Sequence, residues 1–182
     1  MTGPPTPNPG KILLISTLGS GKTTLAELLA RDYCIPFASI DACRVRYGDG
    51  TMDGEDCAYD HFLARCKKPG PCIIEFSGIG PHVRDVRDAL IQSGTPVMVV
   101  WLVLPEIVCI TRTKRRRKTI AFPYFPAPPE SAVPAIHAAI EKAWKTLWST
   151  EPGFRATRLE FSGTEPPDEV CSVVRSICGI SG

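Results

Sequence analysis

Apolar residues along this chain gather in short runs, and stretches with helical spacing separate most of them. The first run, Ile12-Leu13-Leu14-Ile15, starts at Lys11 and predicts a strand, followed by a helix over residues 21–32. A second strand is expected over 36–40 and a helix over 53–65, with Phe62 and Leu63 among its apolar positions. Residues 72–76 read as the third strand, and 81–93 as a helix ended by Gly94. The fourth strand, 97–104, is apolar throughout, the mark of a strand covered on both faces. A helix is expected from Glu106 to about Arg116, with Pro105 favourable at its start. The proline-rich segment 119–134 is expected to be irregular. Helical spacing returns over 135–148, where Ile136, Ile140, Ala143, Trp144 and Leu147 share a side. A last strand over 158–161 and a helix over 167–178 complete the pattern. Strands that alternate with helices in this way predict an α/β fold, a parallel sheet with helices on both faces.

Composition narrows the class. The 182 residues, 43% of them hydrophobic, suit one domain with a single substantial core over 11–182. The first ten residues hold four prolines and are expected to form a loose tail. A net charge of +2 makes no case for nucleic acid by itself. No apolar run has the length of a membrane span, and the N-terminus lacks the basic and apolar regions of a signal peptide, so a cytoplasmic protein is expected. None of the eight cysteines forms a C-x-x-C pair. In a reducing compartment they are expected to be small core residues. Cys57, Cys66 and Cys72, with His61 nearby, leave a metal site as an alternative.

The first strand ends in the sequence with the clearest chemistry, Ser16-Thr17-Leu18-Gly19-Ser20-Gly21-Lys22-Thr23-Thr24. It matches the phosphate-binding pattern G-x-x-x-x-G-K-[ST] except that Ser16 stands where the first glycine is expected. Gly19 and Gly21 let backbone N–H groups turn inward, and the helix beginning near Lys22 aims its positive end at an anion. Thr17, Gly19, Ser20, Gly21, Lys22, Thr23 and Thr24 are therefore the expected nucleotide-binding residues. Lys22 would reach the β- and γ-phosphates, and Thr23 would offer its hydroxyl to Mg2+.

In element order from Lys11 onward, the chain resembles the P-loop kinases of the nucleoside/nucleotide-kinase type, a group that includes adenylate and shikimate kinases, polynucleotide 5′-kinases and zeta toxins. The resemblance implies a three-layer sandwich around a five-stranded parallel sheet in the order 2-3-1-4-5, with a lid insertion over 112–134. The segment Asp41-Ala42-Cys43-Arg44 resembles the D-x-x-R signature of polynucleotide kinases. This implies Asp41 as general base and Arg44 as a clamp on a substrate anion. Ile73-Ile74-Glu75-Phe76-Ser77-Gly78 resembles the apolar run and Asp-Gly of adenylate kinases, which implies that Glu75 holds Mg2+ through water or binds substrate. Arginines in the lid close over the transferring phosphate in such kinases. Within the run 111–118, Arg112 and Arg116 stand four apart and would share a helical face. Arg84 is placed where acceptor groups bind, and Gly163, in Ser162-Gly163-Thr164, where backbone wraps the adenine ring.

The expected activity is ATP- and Mg2+-dependent phosphoryl transfer to a hydroxyl or phosphate of a small metabolite, nucleoside or nucleotide. The basic run 114–118 keeps a polynucleotide or tRNA end open as an alternative acceptor. The lack of an apolar run ending in aspartate keeps a regulatory ATPase open as well. The N-K-x-D pattern of GTPases is missing. Oligomeric state is not legible.

Overall fold

A computed structural model describes residues 10–116, 123 and 127–179. Five parallel strands, β1 (Lys11–Ile15), β2 (Phe37–Ser39), β3 (Cys72–Phe76), β4 (Val97–Val103) and β5 (Phe154–Glu160), form one sheet in the order β2-β3-β1-β4-β5. The helices are α1 (Lys22–Tyr33), α2 (Ile40–Tyr47), α3 (Met52–Lys67), α4 (Val83–Gln92), α5 (Glu106–Arg115), α6 (Pro129–Ala143) and α7 (Pro167–Cys178). This is the expected α/β sandwich with the expected strand order. The tail over 1–9 and the parts of the expected lid over 117–122 and 124–126 lie outside the described residues.

Strand alternation divides the core in two. Leu13, Ile15, Ile74, Phe76, Val99 and Trp101 face one side, where α3, α4 and α6 bring Phe62, Leu90 and Ile140. Ile12, Leu14, Ile73, Val100 and Leu102 face the other, against Leu25 and Leu29 of α1, Cys109 of α5 and Val174 of α7. Both faces are covered, so β1 and β3 are buried at every position and need no polar alternation. The one charge drawn into β1 is Lys11, 1% exposed, whose Nζ donates to the Lys68 carbonyl at 2.7 Å. Burial pulls its pKa down from the usual lysine value.

Four expectations change. Residues 40–47 form a helix that the sequence pattern did not announce, and it carries Asp41 in its first turn. Helix α6 begins at Pro129 and runs through Pro134, inside the segment expected to be irregular. Pro129 at the first helical position loses no hydrogen bond, and buried Val133 anchors the turn that Pro134 would otherwise weaken. The helix expected to continue to residue 148 changes to a π-helical turn over Trp144–Trp148. Strand β5 starts at Phe154, four residues before expectation, because its polar residues sit on a half-exposed sheet edge that apolar patterning does not reveal.

Trp148 is fully buried, and its indole Nε1 donates to the Gly78 carbonyl at 2.8 Å, tying the π-helical turn to the loop after β3. Trp148→Phe keeps most of the packing but leaves that carbonyl unpaired. It should lower unfolding free energy by about 1–3 kcal/mol, measured by urea denaturation.

Candidate active site

The loop between β1 and α1 is held in an anion-cradling shape by contacts a side chain would destroy. Gly19 has φ +73°, and a Cβ there would lie 2.2 Å from the Cys109 carbonyl oxygen and 2.6 Å from Thr113 Oγ1. Gly21, at φ 88°, is the N-cap of α1 and supplies no side-chain cap. The first turn of α1 holds no acidic residue, so its amides and its positive dipole end point into the loop uncompensated. Ser20 Oγ is buried without a hydrogen-bond partner. An orphaned hydroxyl, an uncapped helix start and two left-handed glycines together fit a phosphate group.

Ser16, in the place of the first motif glycine, makes its own contribution. Its hydroxyl donates to the Leu102 carbonyl at 2.5 Å and so ties the exit of β1 to β4. Thr17 Oγ1 donates to the Val133 carbonyl at 3.4 Å. Lys22 Nζ curls back to donate to the Thr17 carbonyl at 3.3 Å.

Glu75 gathers the loop and two strands. It pairs with Leu14 in β1 and Ser39 in β2, and alternation turns its side chain toward α1. Its carboxylate is 3% exposed. It accepts from Thr23 Oγ1 at 3.1 Å and from Ser39 Oγ at 2.8 Å, and stands 3.6 Å from Lys22 Nζ. Burying a carboxylate is costly unless it is paired and hydrogen-bonded, and these three partners meet that need. The Thr23 hydroxyl and the Glu75 carboxylate, two hard oxygen donors in contact, suit Mg2+.

On the β4–β5 side, the loop opens into a cleft of about 290 Å³. Gly19, Ser20 and Gly21 line it at the phosphate end, with Leu25, Leu104, Phe161 and Val170 supplying apolar wall. Arg112 and Arg116 both line it, Arg112 from α5 and Arg116 from the extended residue that ends the helix rather than from one helical face. Arg112 Nη2 donates to the Gly163 carbonyl at 2.6 Å. Gly163 has φ +86°, and a Cβ would strike Val108 Cγ1 at 2.7 Å. The Glu165 carboxylate accepts from the Ser162 and Gly163 amides, each at 2.8 Å. Backbone donation, from Ser162 foremost, holds the Glu165 carboxyl at a pKa of about 2.

On the β2–β3 side, Asp41 and Arg44 belong to one network. Arg44 Nη1 donates to Asp41 Oδ1 at 3.0 Å. Its Nε and Nη2 form a fork on the Glu55 carboxylate, with contacts of 2.5 to 3.1 Å. Tyr59 adds its ring 5.5 Å from the guanidinium carbon. Burial alone would lower the Arg44 pKa, but the Glu55 hydrogen bonds, with Tyr59 and Asp41, reverse this and raise it above the usual arginine value. Arg84 lies apart from this network, exposed in the first turn of α4.

Sequence reasoning missed Ser39, Glu55 and Glu165. The Ser-Gly-Thr turn before Glu165 and two prolines was a usable signal for an ordered loop. Glu55 stands eleven residues from Arg44 on a different helix, and no spacing rule joins them. Among the described residues, no three His, Cys, Asp or Glu side chains come together to hold a metal. Cys66 and Cys72 are buried while Cys57 is exposed.

The sequence profile of the ATPase family associated with various cellular activities (AAA) matches residues 12–94, just under half of the chain. No curated protein sequence matches the chain. Among solved structures, shikimate kinase from Acinetobacter baumannii in complex with shikimate is similar at a TM-score of 0.65 and 18% identity, over 92% of each chain. A gluconokinase from Sinorhizobium meliloti is similar at a TM-score of 0.55 and 21% identity, covering 94% of this chain and 91% of that one. A sugar kinase from a Janibacter species is similar at 0.57 and 20% identity, covering 94% and 95%. The chain shares its fold with these structures.

Proposed function

We propose that the chain is an ATP- and Mg2+-dependent kinase that phosphorylates a hydroxyl of a small molecule. One observation carries the reading. The loop's lysine and threonine converge on buried Glu75, with a base-sized cleft on one side and Asp41 on the other. A phosphate tail in the loop would lie between the cleft and the carboxylate that follows β2. The similar structures named above include kinases described as acting on shikimate, gluconate and sugars, which agrees with a small acceptor.

In this reading each residue of the site takes a role. Lys22 leaves the Thr17 carbonyl and neutralises charge on the transferring phosphoryl group. Thr23 and Glu75 would hold Mg2+, which would neutralise charge on the phosphate oxygens. Arg112 and Arg116, which line the cleft, screen the charge of the phosphates and help exclude water. Gly163 and the apolar wall would receive the adenine ring. The acceptor oxygen forms its bond to the γ-phosphorus as the bond to the β,γ-bridging oxygen breaks. ADP keeps that electron pair, and Asp41 takes the hydroxyl proton before passing it to water. Residues 11–182 act as one domain in this scheme.

Three variants test it by γ-labelled ATP turnover and by equilibrium nucleotide binding. Lys22→Ala should abolish turnover and weaken ATP binding by tenfold or more, about 1.4 kcal/mol. Asp41→Asn should spare ATP binding but lower transfer by about 10²–10⁴-fold. Unchanged transfer in Asp41→Asn would refute the general-base role. Release of label only as free phosphate, whatever the acceptor, would replace the kinase reading with a regulatory ATPase. Arg112→Ala removes a cleft cation and the tie to Gly163, so kcat/KM for ATP should fall by about 10²-fold, measured by initial rates.

A further inference from the structure

The two sides of the phosphate loop differ in charge. The cleft side carries Arg112 and Arg116, suited to an anionic nucleotide. On the β2–β3 side, where the acceptor enters if the kinase reading holds, the carboxylates Asp41, Glu55 and Glu75 outnumber the inward cations Lys22 and Arg44. Lys22 already stands against Glu75. Arg44, the cation marked by the D-x-x-R spacing as an anion clamp, is fully engaged: Glu55 takes its Nε and Nη2 edge and Asp41 its Nη1. Both partners of the Arg44–Glu55 pair are well buried, with side chains 11% and 10% exposed.

A carboxylate or phosphate on the acceptor would meet this arrangement at a disadvantage. To use the guanidinium edge it must displace Glu55, leaving a buried carboxylate without its partner. If Glu55 stays, the incoming anion becomes the third negative charge around a single cation. Among the described residues on this side, the other basic side chains do not offset this. His82 faces Asp56 and Asp85 at 3.6 and 3.2 Å, and Arg84 is solvent-exposed, where water and salt screen it. An uncharged polyol meets neither penalty, and its hydroxyls can donate to Asp41.

We propose that the acceptor is an uncharged polyhydroxyl compound, and that Glu55 determines this specificity by occupying the fork of Arg44. Glu55 does not touch the reacting atoms. It acts through Arg44, whose remaining Nη1 contact then holds Asp41 in place.

The test is phosphoryl transfer from γ-labelled ATP by the full chain to matched pairs: D-glucitol against D-gluconate, glycerol against D-glycerate, adenosine against AMP. The expected result is transfer to a neutral member with kcat/KM at least tenfold above its anionic partner. Equal or faster transfer to the anionic members would overturn this inference and leave the kinase reading standing. Label released only as phosphate with every acceptor would overturn both. Glu55→Gln should then reduce the neutral-to-anionic ratio by at least tenfold, because the guanidinium edge opens to substrate. A purely structural Glu55 would lower both members alike, and that result would refute its role in specificity. Glu55→Asp, which shortens the carboxylate and keeps its charge, should move the ratio the same way by a smaller factor. It serves if the glutamine variant does not fold.

Discussion

A carboxylate buried at the end of β3 is the constraint on which the rest of the site depends. Glu75 sits where water cannot solvate it, so the chain must bring it donors, and three side chains supply them. Ser39 fixes the end of β2, Thr23 the first turn of α1, and Lys22 the phosphate loop. Ser39 stands sixteen residues beyond Thr23 and thirty-six before Glu75, and this group draws the three segments together. The pairing of β3 between β1 and β2 makes the convergence possible, because it sets Leu14, Glu75 and Ser39 side by side. A different strand order would strand the charge. Topology and chemistry are therefore one problem in this fold.

Around that group the molecule divides its labour by polarity. The β4–β5 side is largely apolar, with arginines at its mouth and a loop over 162–165 held in shape by the Glu165 carboxylate. Its geometry rests on backbone amides and left-handed glycines, features that tolerate little change in shape. The β2–β3 side is built from side-chain ion pairs on α2 and α3, whose geometry depends on which residues are present. One side is a fixed cradle, and the other is open to revision by substitution at a few positions.

Much of this was legible from residues alone, and the exceptions have physical causes. The strands β1, β3 and β4 announced themselves because strands covered on both faces are apolar at nearly every position. The loop at Gly19–Lys22 was legible because its backbone geometry demands glycine and its chemistry demands lysine. The helix α2 was not: two of its eight residues are buried and the rest face solvent or ion pairs, so no apolar stripe marks it. Strand β5 escaped in part for the same reason, as an edge strand need be apolar on fewer positions. The grip of Glu55 on Arg44 was invisible, since it joins two helices across a turn and obeys no periodicity. Motif reading supplied the residue types at the site. Which of them are already engaged became visible only in three dimensions.

The central place of β1 has a consequence for how the chain comes into being. Its neighbours are β3 and β4, so one edge of residues 11–15 finds its partner only when residue 76 has been made, and the other only near residue 101. The buried tie from Trp148 to Gly78 reaches further still, across seventy residues. During synthesis an apolar strand with two bare edges must therefore wait through most of translation, and such edges template pairing with other chains. The loop after β3 cannot take its final shape until the π-helical turn has left the ribosome. The first strand of the sheet is made long before either of its partners.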